Sequence, residues 1–146
     1  MLVIVLAGAG LGGCSSSPMS QPCLPPPFSV SATTATAGAT VTVAASDATC
    51  NPRYGKTAQV QVTLRDSNGV EIVKELAPMN DQGGFSVELH IPAAAAPGPA
   101  AVEAYPYNLD WCDDTGRNNR VGRSATAPAI ERVSCAPSVQ KFLIEP

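Results

Sequence analysis

In Phe85-Ser86-Val87-Glu88-Leu89-His90-Ile91, apolar residues alternate with polar ones without a break. A period of two puts one set of side chains on each face of an extended chain, so the stretch reads as a half-buried β-strand. Asn80-Asp81-Gln82-Gly83-Gly84 precedes it as a turn, and Pro92 ends it. Working back along the chain, Val60, Val62 and Leu64 alternate with Gln59, Gln61 and Thr63. Asp66-Ser67-Asn68-Gly69 follows, and its Asn-Gly pair predicts a tight hairpin, because both positions tolerate φ > 0. The return strand carries Val70, Ile72 and Lys74 on one face and Glu71 and Val73 on the other. Earlier still, Phe28, Val30 and Ala32 form a strand pattern, and Val41, Val43 and Ala45 another, with a turn at Ala37-Gly38 between them. Working forward, Pro97-Gly98 is a turn, Ala100 to Tyr105 is strand-like, and Pro106 stops it. A polar stretch from Tyr107 to Arg120 leads to a weaker strand pattern over Val121 to Val133, where Pro128 marks an edge or a bulge. The tail Ser138 to Ile144 reads as a short strand or a surface segment.

About seven short strands with turn signals every eight to twelve residues predict an all-β domain, an antiparallel β-sandwich spanning 28–146. Their order and spacing resemble immunoglobulin-like or fibronectin-type-III-like domains. The resemblance is architectural: the sole tryptophan, Trp111, falls in a loop and not between two core cysteines, which speaks against the antibody variety. A jelly roll and a transthyretin-like sandwich are the alternatives. The 146-residue chain has room for one such domain, and its net charge of −3 provides neither a nucleic-acid footprint nor a polybasic membrane patch.

The N-terminal residues are of a different kind. An apolar run from Met1 to Leu11 leads into Gly12-Gly13-Cys14 and then abruptly into Ser15-Ser16-Ser17-Pro18. It is too short to cross a bilayer, which takes about 20 apolar residues. Leu11-Gly12-Gly13-Cys14 resembles the lipobox of bacterial lipoproteins. That resemblance implies a signal peptide over 1–13, cleavage between Gly13 and Cys14, and a diacylglycerol on the Cys14 thiol. The implied partner is the membrane, and the implied location is the outer face of the bacterial cytoplasmic membrane. Two acyl chains on one residue anchor stably where one would hold only reversibly. The leader opens Met1-Leu2-Val3-Ile4 with no Lys or Arg, a departure from the usual export signal that points to a start upstream of Met1. Residues 14–27, rich in Ser and Pro, read as an extended spacer.

With Cys14 assigned to lipid, Cys23, Cys50, Cys112 and Cys135 remain, an even number that in an exported chain reads as two disulfides. Their wide spacing argues against a metal site. Four cysteines allow three connectivities. In an immunoglobulin-like order the loops holding Cys50 and Cys112 share one end of the sandwich, which favours pairing Cys50 with Cys112 and Cys23 with Cys135.

No catalytic constellation emerges. His90 is the sole histidine, on the solvent face of its strand, and no nucleophile elbow, zinc-protease or phosphate-loop motif occurs. No cofactor is expected, and the chain reads as a non-catalytic binding or structural module with an unidentified protein or envelope polysaccharide as ligand. The richest polar loop contains Tyr107, Asp110, Trp111, Asp113 and Asp114, and with Arg53 and Tyr54 it forms a candidate recognition surface at one end. Its carboxylates raise a calcium- or carbohydrate-dependent site over 107–120 as the alternative, although the spacing does not fit a calcium loop and nearby arginines neutralise the same groups. The competing reading makes Trp111 a small satellite core over a disulfide.

Overall fold

The structure is a computed structural model and describes residues 23–109, 111 and 136–146. Among these residues there is no helix. Eight strands form two sheets: β1 (Phe28–Val30), β2 (Thr34–Thr36), β3 (Thr40–Ala45), β4 (Gln59–Arg65), β5 (Glu71–Pro78), β6 (Phe85–His90), β7 (Gly98–Pro106) and β8 (Ser138–Glu145). One sheet has the order β1-β3-β6 and the other β2-β8-β7-β4-β5. All pairings are antiparallel except that of β2 with β8, which is parallel.

The alternating residues meet in a single core. Val41, Val43 and Leu89 from the smaller sheet join Val60, Val62, Leu64, Val102, Phe142 and Ile144 from the larger one. Each such side chain contributes roughly 1.5–3 kcal/mol through removal from water. β4, an interior strand between β7 and β5, is buried on both faces: Gln61 and Thr63 are as hidden as the valines beside them. The tail is a full strand inside the larger sheet, where β8 pairs β7 on one side and β2 on the other. The strand pattern over 121–133 lies outside the described residues.

The chain passes from one sheet to the other within its first few residues. β1 pairs with β3, and after a short crossing β2 lies beside β8. Gln140 Nε2 of β8 donates to the Phe28 carbonyl (3.1 Å), tying the two sheets at the start of β1.

The 66–69 hairpin is wider than the two-residue turn expected from Asn-Gly. The Asp66 carboxylate Oδ1 accepts from the backbone N–H of Asn68 (2.9 Å) and Val70 (3.1 Å), and the Gly69 N–H donates to the Asp66 carbonyl (2.9 Å). Only Gly69 takes a positive φ, 75°, so the aspartate sets the turn and Asn68 stays out of the left-handed region. A register shift between Leu64 and Arg65 absorbs the longer loop.

The disulfide joins Cys23 to Cys50, with Cα atoms 5.7 Å apart, and this corrects the expected Cys50–Cys112 pairing. The reason is strand register. β1 runs antiparallel to β3 with Phe28 opposite Ala45; Cys23 lies five residues before Phe28 and Cys50 five after Ala45, so continuing the ladder brings them face to face. With Cys50 taken, Cys23 is not available to Cys135 either. Cys112, Cys135 and Cys14 lie outside the described residues.

Candidate functional site

Two surfaces gather polar and aromatic side chains among the described residues. The first is the end of the molecule formed by the loops 46–58, 79–84 and 107–109. Its internal scaffold is polar. Asn80 Oδ1 accepts from the N–H groups of Gln82 and Gly84 (both 2.9 Å), Asn80 Nδ2 donates to Asp47 Oδ1 (2.6 Å), and the Gly55 N–H donates to Asp81 Oδ1 (2.6 Å). Gly84 is required by close approach: a Cβ there would lie 2.2 Å from Asp47 Oδ1. Arg53, exposed, adopts a left-handed φ of 58° just before Tyr54, whose N–H donates to the Asp81 carbonyl (3.0 Å).

Of the expected recognition residues, Tyr54 turns inward. It is 3% exposed and packs beneath Pro26 and Gly83, so it is a core residue and offers a ligand almost no surface. Tyr107 is exposed, and its N–H donates to the Gln59 carbonyl (2.8 Å), which holds the loops after β3 and β7 together. A cleft of about 220 Å³ between them is lined by Tyr54, Thr57, Gln59, Tyr107 and Asn108. Asp110, Asp113 and Asp114 lie outside the described residues. Among the described residues, no group of three His, Cys, Asp or Glu side chains converges as a metal site would require.

The second surface is the outer face of the five-stranded sheet, where register places side chains in rows across the strands. Leu76, Gln61 and Tyr105 stand side by side on β5, β4 and β7. Gln61 Nε2 donates to Tyr105 Oη, and the Trp111 ring lies 6.2 Å from that of Tyr105, tilted by 33°. Trp111 is partly buried with Tyr105 as its ring partner, and the Cys50–Cys112 bond it was expected to cover does not form, because Cys50 pairs with Cys23. The next row is Lys74, Thr63, Glu103 and Val139. Arg65 lies beyond it, 3.5 Å from Glu71 and 3.7 Å from Glu103. Leu76, Val139 and Leu143 are all exposed on this face.

Sequence reasoning missed this surface because Gln61 and Thr63 look like ordinary solvent-face residues of an alternating strand. The signal was in β8, where Val139 and Leu143 are apolar on the face opposite Phe142 and Ile144. A strand apolar on both faces asks for cover on both.

His90 is exposed, its Nδ1 3.4 Å from Thr40 Oγ1 on the neighbouring strand. Among the described residues, no helix is long and apolar enough to cross a membrane. No protein-family model and no curated protein matches this sequence.

Proposed function

We propose that the chain is a lipid-anchored extracytoplasmic protein whose immunoglobulin-like β-sandwich serves as a non-catalytic binding or structural module. The carrying observation is Leu11-Gly12-Gly13-Cys14 at the end of an apolar leader, followed at once by a polar spacer. The Cys23–Cys50 bond supports the same compartment, since disulfides persist where the surroundings are oxidising. Strand order supports the fold reading: β1, β3 and β6 correspond to strands A, B and E of an immunoglobulin domain, and β4, β7 and β8 to C, F and G, with β5 as C′. Binding, in this reading, uses the outer face of the larger sheet, where Tyr105 and Trp111 offer rigid aromatic surface and Lys74 and Glu103 offer polar partners.

Expression of the full chain in a bacterium with lipoprotein processing, in medium containing an alkyne fatty acid, tests the anchor. Intact mass should show residues 1–13 removed and a diacylglyceryl group on Cys14, and Cys14→Ala should abolish labelling. An unlabelled wild-type protein, or one cleaved at another position, refutes the proposal.

A further inference from the structure

Asn68-Gly69 is the one Asn-Gly pair in the sequence, and the fold places it at the exposed tip of the hairpin between β4 and β5. An asparagine followed by glycine can close a ring on its own backbone. The Gly69 nitrogen, losing its proton to solvent, attacks Asn68 Cγ; a C–N bond forms and the side-chain amide leaves as ammonia. Water then opens the resulting succinimide. Attack at Cγ breaks the new bond and leaves aspartate, whereas attack at the Asn68 backbone carbonyl breaks the original peptide bond and leaves isoaspartate, with the chain running through Cβ and Cγ. Water is the only co-reactant, and nothing is oxidised or reduced. Glycine at 69 favours the ring because no side chain shields its nitrogen, and the space beside it is open: a Cβ there would meet nothing within 4 Å.

The closed hairpin opposes this reaction. The Gly69 N–H donates to the Asp66 carbonyl (2.9 Å), and with neither Ser67 nor Asn68 at positive φ this closes a type I turn. Such a turn sets ψ of Asn68 at about 0°, whereas the ring needs Asn68 Cβ and Gly69 N eclipsed across the Cα–C bond. The peptide must therefore rotate and release the Asp66 carbonyl before it reacts. Rotation also pulls against Asp66 Oδ1, which accepts from the N–H groups on either side, those of Asn68 (2.9 Å) and Val70 (3.1 Å). Asp66 is 9% exposed, so little water competes for these bonds. Ser67 is backed by the start of β7, where a Cβ on Gly98 would lie 2.9 Å from Ser67 Cβ.

We infer that Asn68 is a site of spontaneous deamidation, and that the hydrogen bonds to the Asp66 carboxylate hold it unreactive while the hairpin is closed. Opening of residues 66–70 releases the reaction, and the isoaspartate product resists reclosure. Its extra backbone carbon between positions 68 and 69 separates the N–H groups that Asp66 gathers, next to the Arg65–Glu71 pair where the register already shifts. The modification is a one-way record of hairpin opening.

Peptide mapping by mass spectrometry, which reads the exchange of NH2 for OH at position 68, tests this on the full oxidised chain in mildly alkaline buffer. Asn68 in the folded protein should convert at least about tenfold more slowly than in the same chain unfolded in urea, the scale of one charge-assisted hydrogen bond. Asp66→Ala should remove most of that protection, whereas Asp66→Asn, which keeps an Oδ1 acceptor, should retain it. Amide hydrogen exchange at Asn68 and Val70 should rise with the conversion rate across the three proteins. Absence of conversion at Asn68 in the unfolded chain overturns the site. Equal rates in folded and unfolded wild type, or equal acceleration by both Asp66 variants, overturn the role of the Asp66 hydrogen bonds. Should Asp66→Ala fail to fold, the folded and unfolded wild type together with Asp66→Asn still decide.

Discussion

Replacing both Cys23 and Cys50 by serine should destabilise the domain by about 3.5 kcal/mol, from the chain-entropy cost of closing a loop with a sequence separation of 27. At an unfolding entropy of about 2 cal/mol/K per residue, this lowers the melting temperature of a domain of this size by roughly 15 °C. The rejected Cys50–Cys112 bond would close a longer loop, but the logarithm makes it worth only about 0.7 kcal/mol more. A stability measurement therefore detects a bond without identifying it. The decisive assay pairs a calorimetric melt of the oxidised protein and the double variant with non-reducing peptide mapping of the oxidised form. A Cys23–Cys50 cross-linked peptide and a drop of the stated size are expected. A Cys50–Cys112 peptide, or a loss below about 1 kcal/mol, refutes the argument from register.

Gly84→Ala should cost about 1–3 kcal/mol in urea titration, because its Cβ displaces Asp47 from Asn80; Gly84→Asn should be at least as damaging. At Gly69, where the obstacle is a φ of 75° in open space, Ala should cost about 1–2 kcal/mol and Asn should recover much of it. Leu64→Ala should cost about 2–5 kcal/mol, whereas Leu76→Ala, 45% exposed, should stay within about 0.5 kcal/mol; comparable losses would contradict the assignment of the two sheet faces. Tyr105→Phe removes the acceptor of the Gln61 amide, which is 5% exposed, at a cost of about 1–2 kcal/mol. In a double-mutant cycle with Gln61→Leu, the two losses should fall short of additive, and additivity within about 0.3 kcal/mol would deny the contact.

Most strand positions were readable because burial on one face leaves a period of two in the chain, as Phe85–His90 does. What escaped has local physical causes. β2 is three residues long and pairs parallel with a strand more than a hundred residues later, so no local pattern encodes it. β5 extends to Pro78 and points Glu75 toward the partly covered inner face of a sheet edge, which blurs its alternation. Hairpin width was set by the Asp66 carboxylate and not by the Asn-Gly pair beside it. Cysteine pairing was decipherable in retrospect, since the distances of Cys23 and Cys50 from their strands match, but a loop-to-loop template drew attention to Cys112 instead. Of the candidate recognition residues, Tyr107 and Arg53 are exposed as expected, whereas Tyr54 is drawn inward by Pro26 and Gly83. Gln61 and Thr63 were hidden from view because polarity at alternate positions of an interior strand looks the same whether water or neighbouring side chains cover it.

The covalent bridge at the foot of β1 also dictates how the domain bears mechanical load. Tension arriving along the chain from before Cys23 passes through sulfur into Cys50 and the segment joining β3 to β4, next to the strand that anchors the core. β1, held by only three paired residues, is spared from being unzipped from its free end. In a reducing medium the same tug would fall on that short ladder first, and the N-terminal strand would peel away at a force the oxidised molecule withstands.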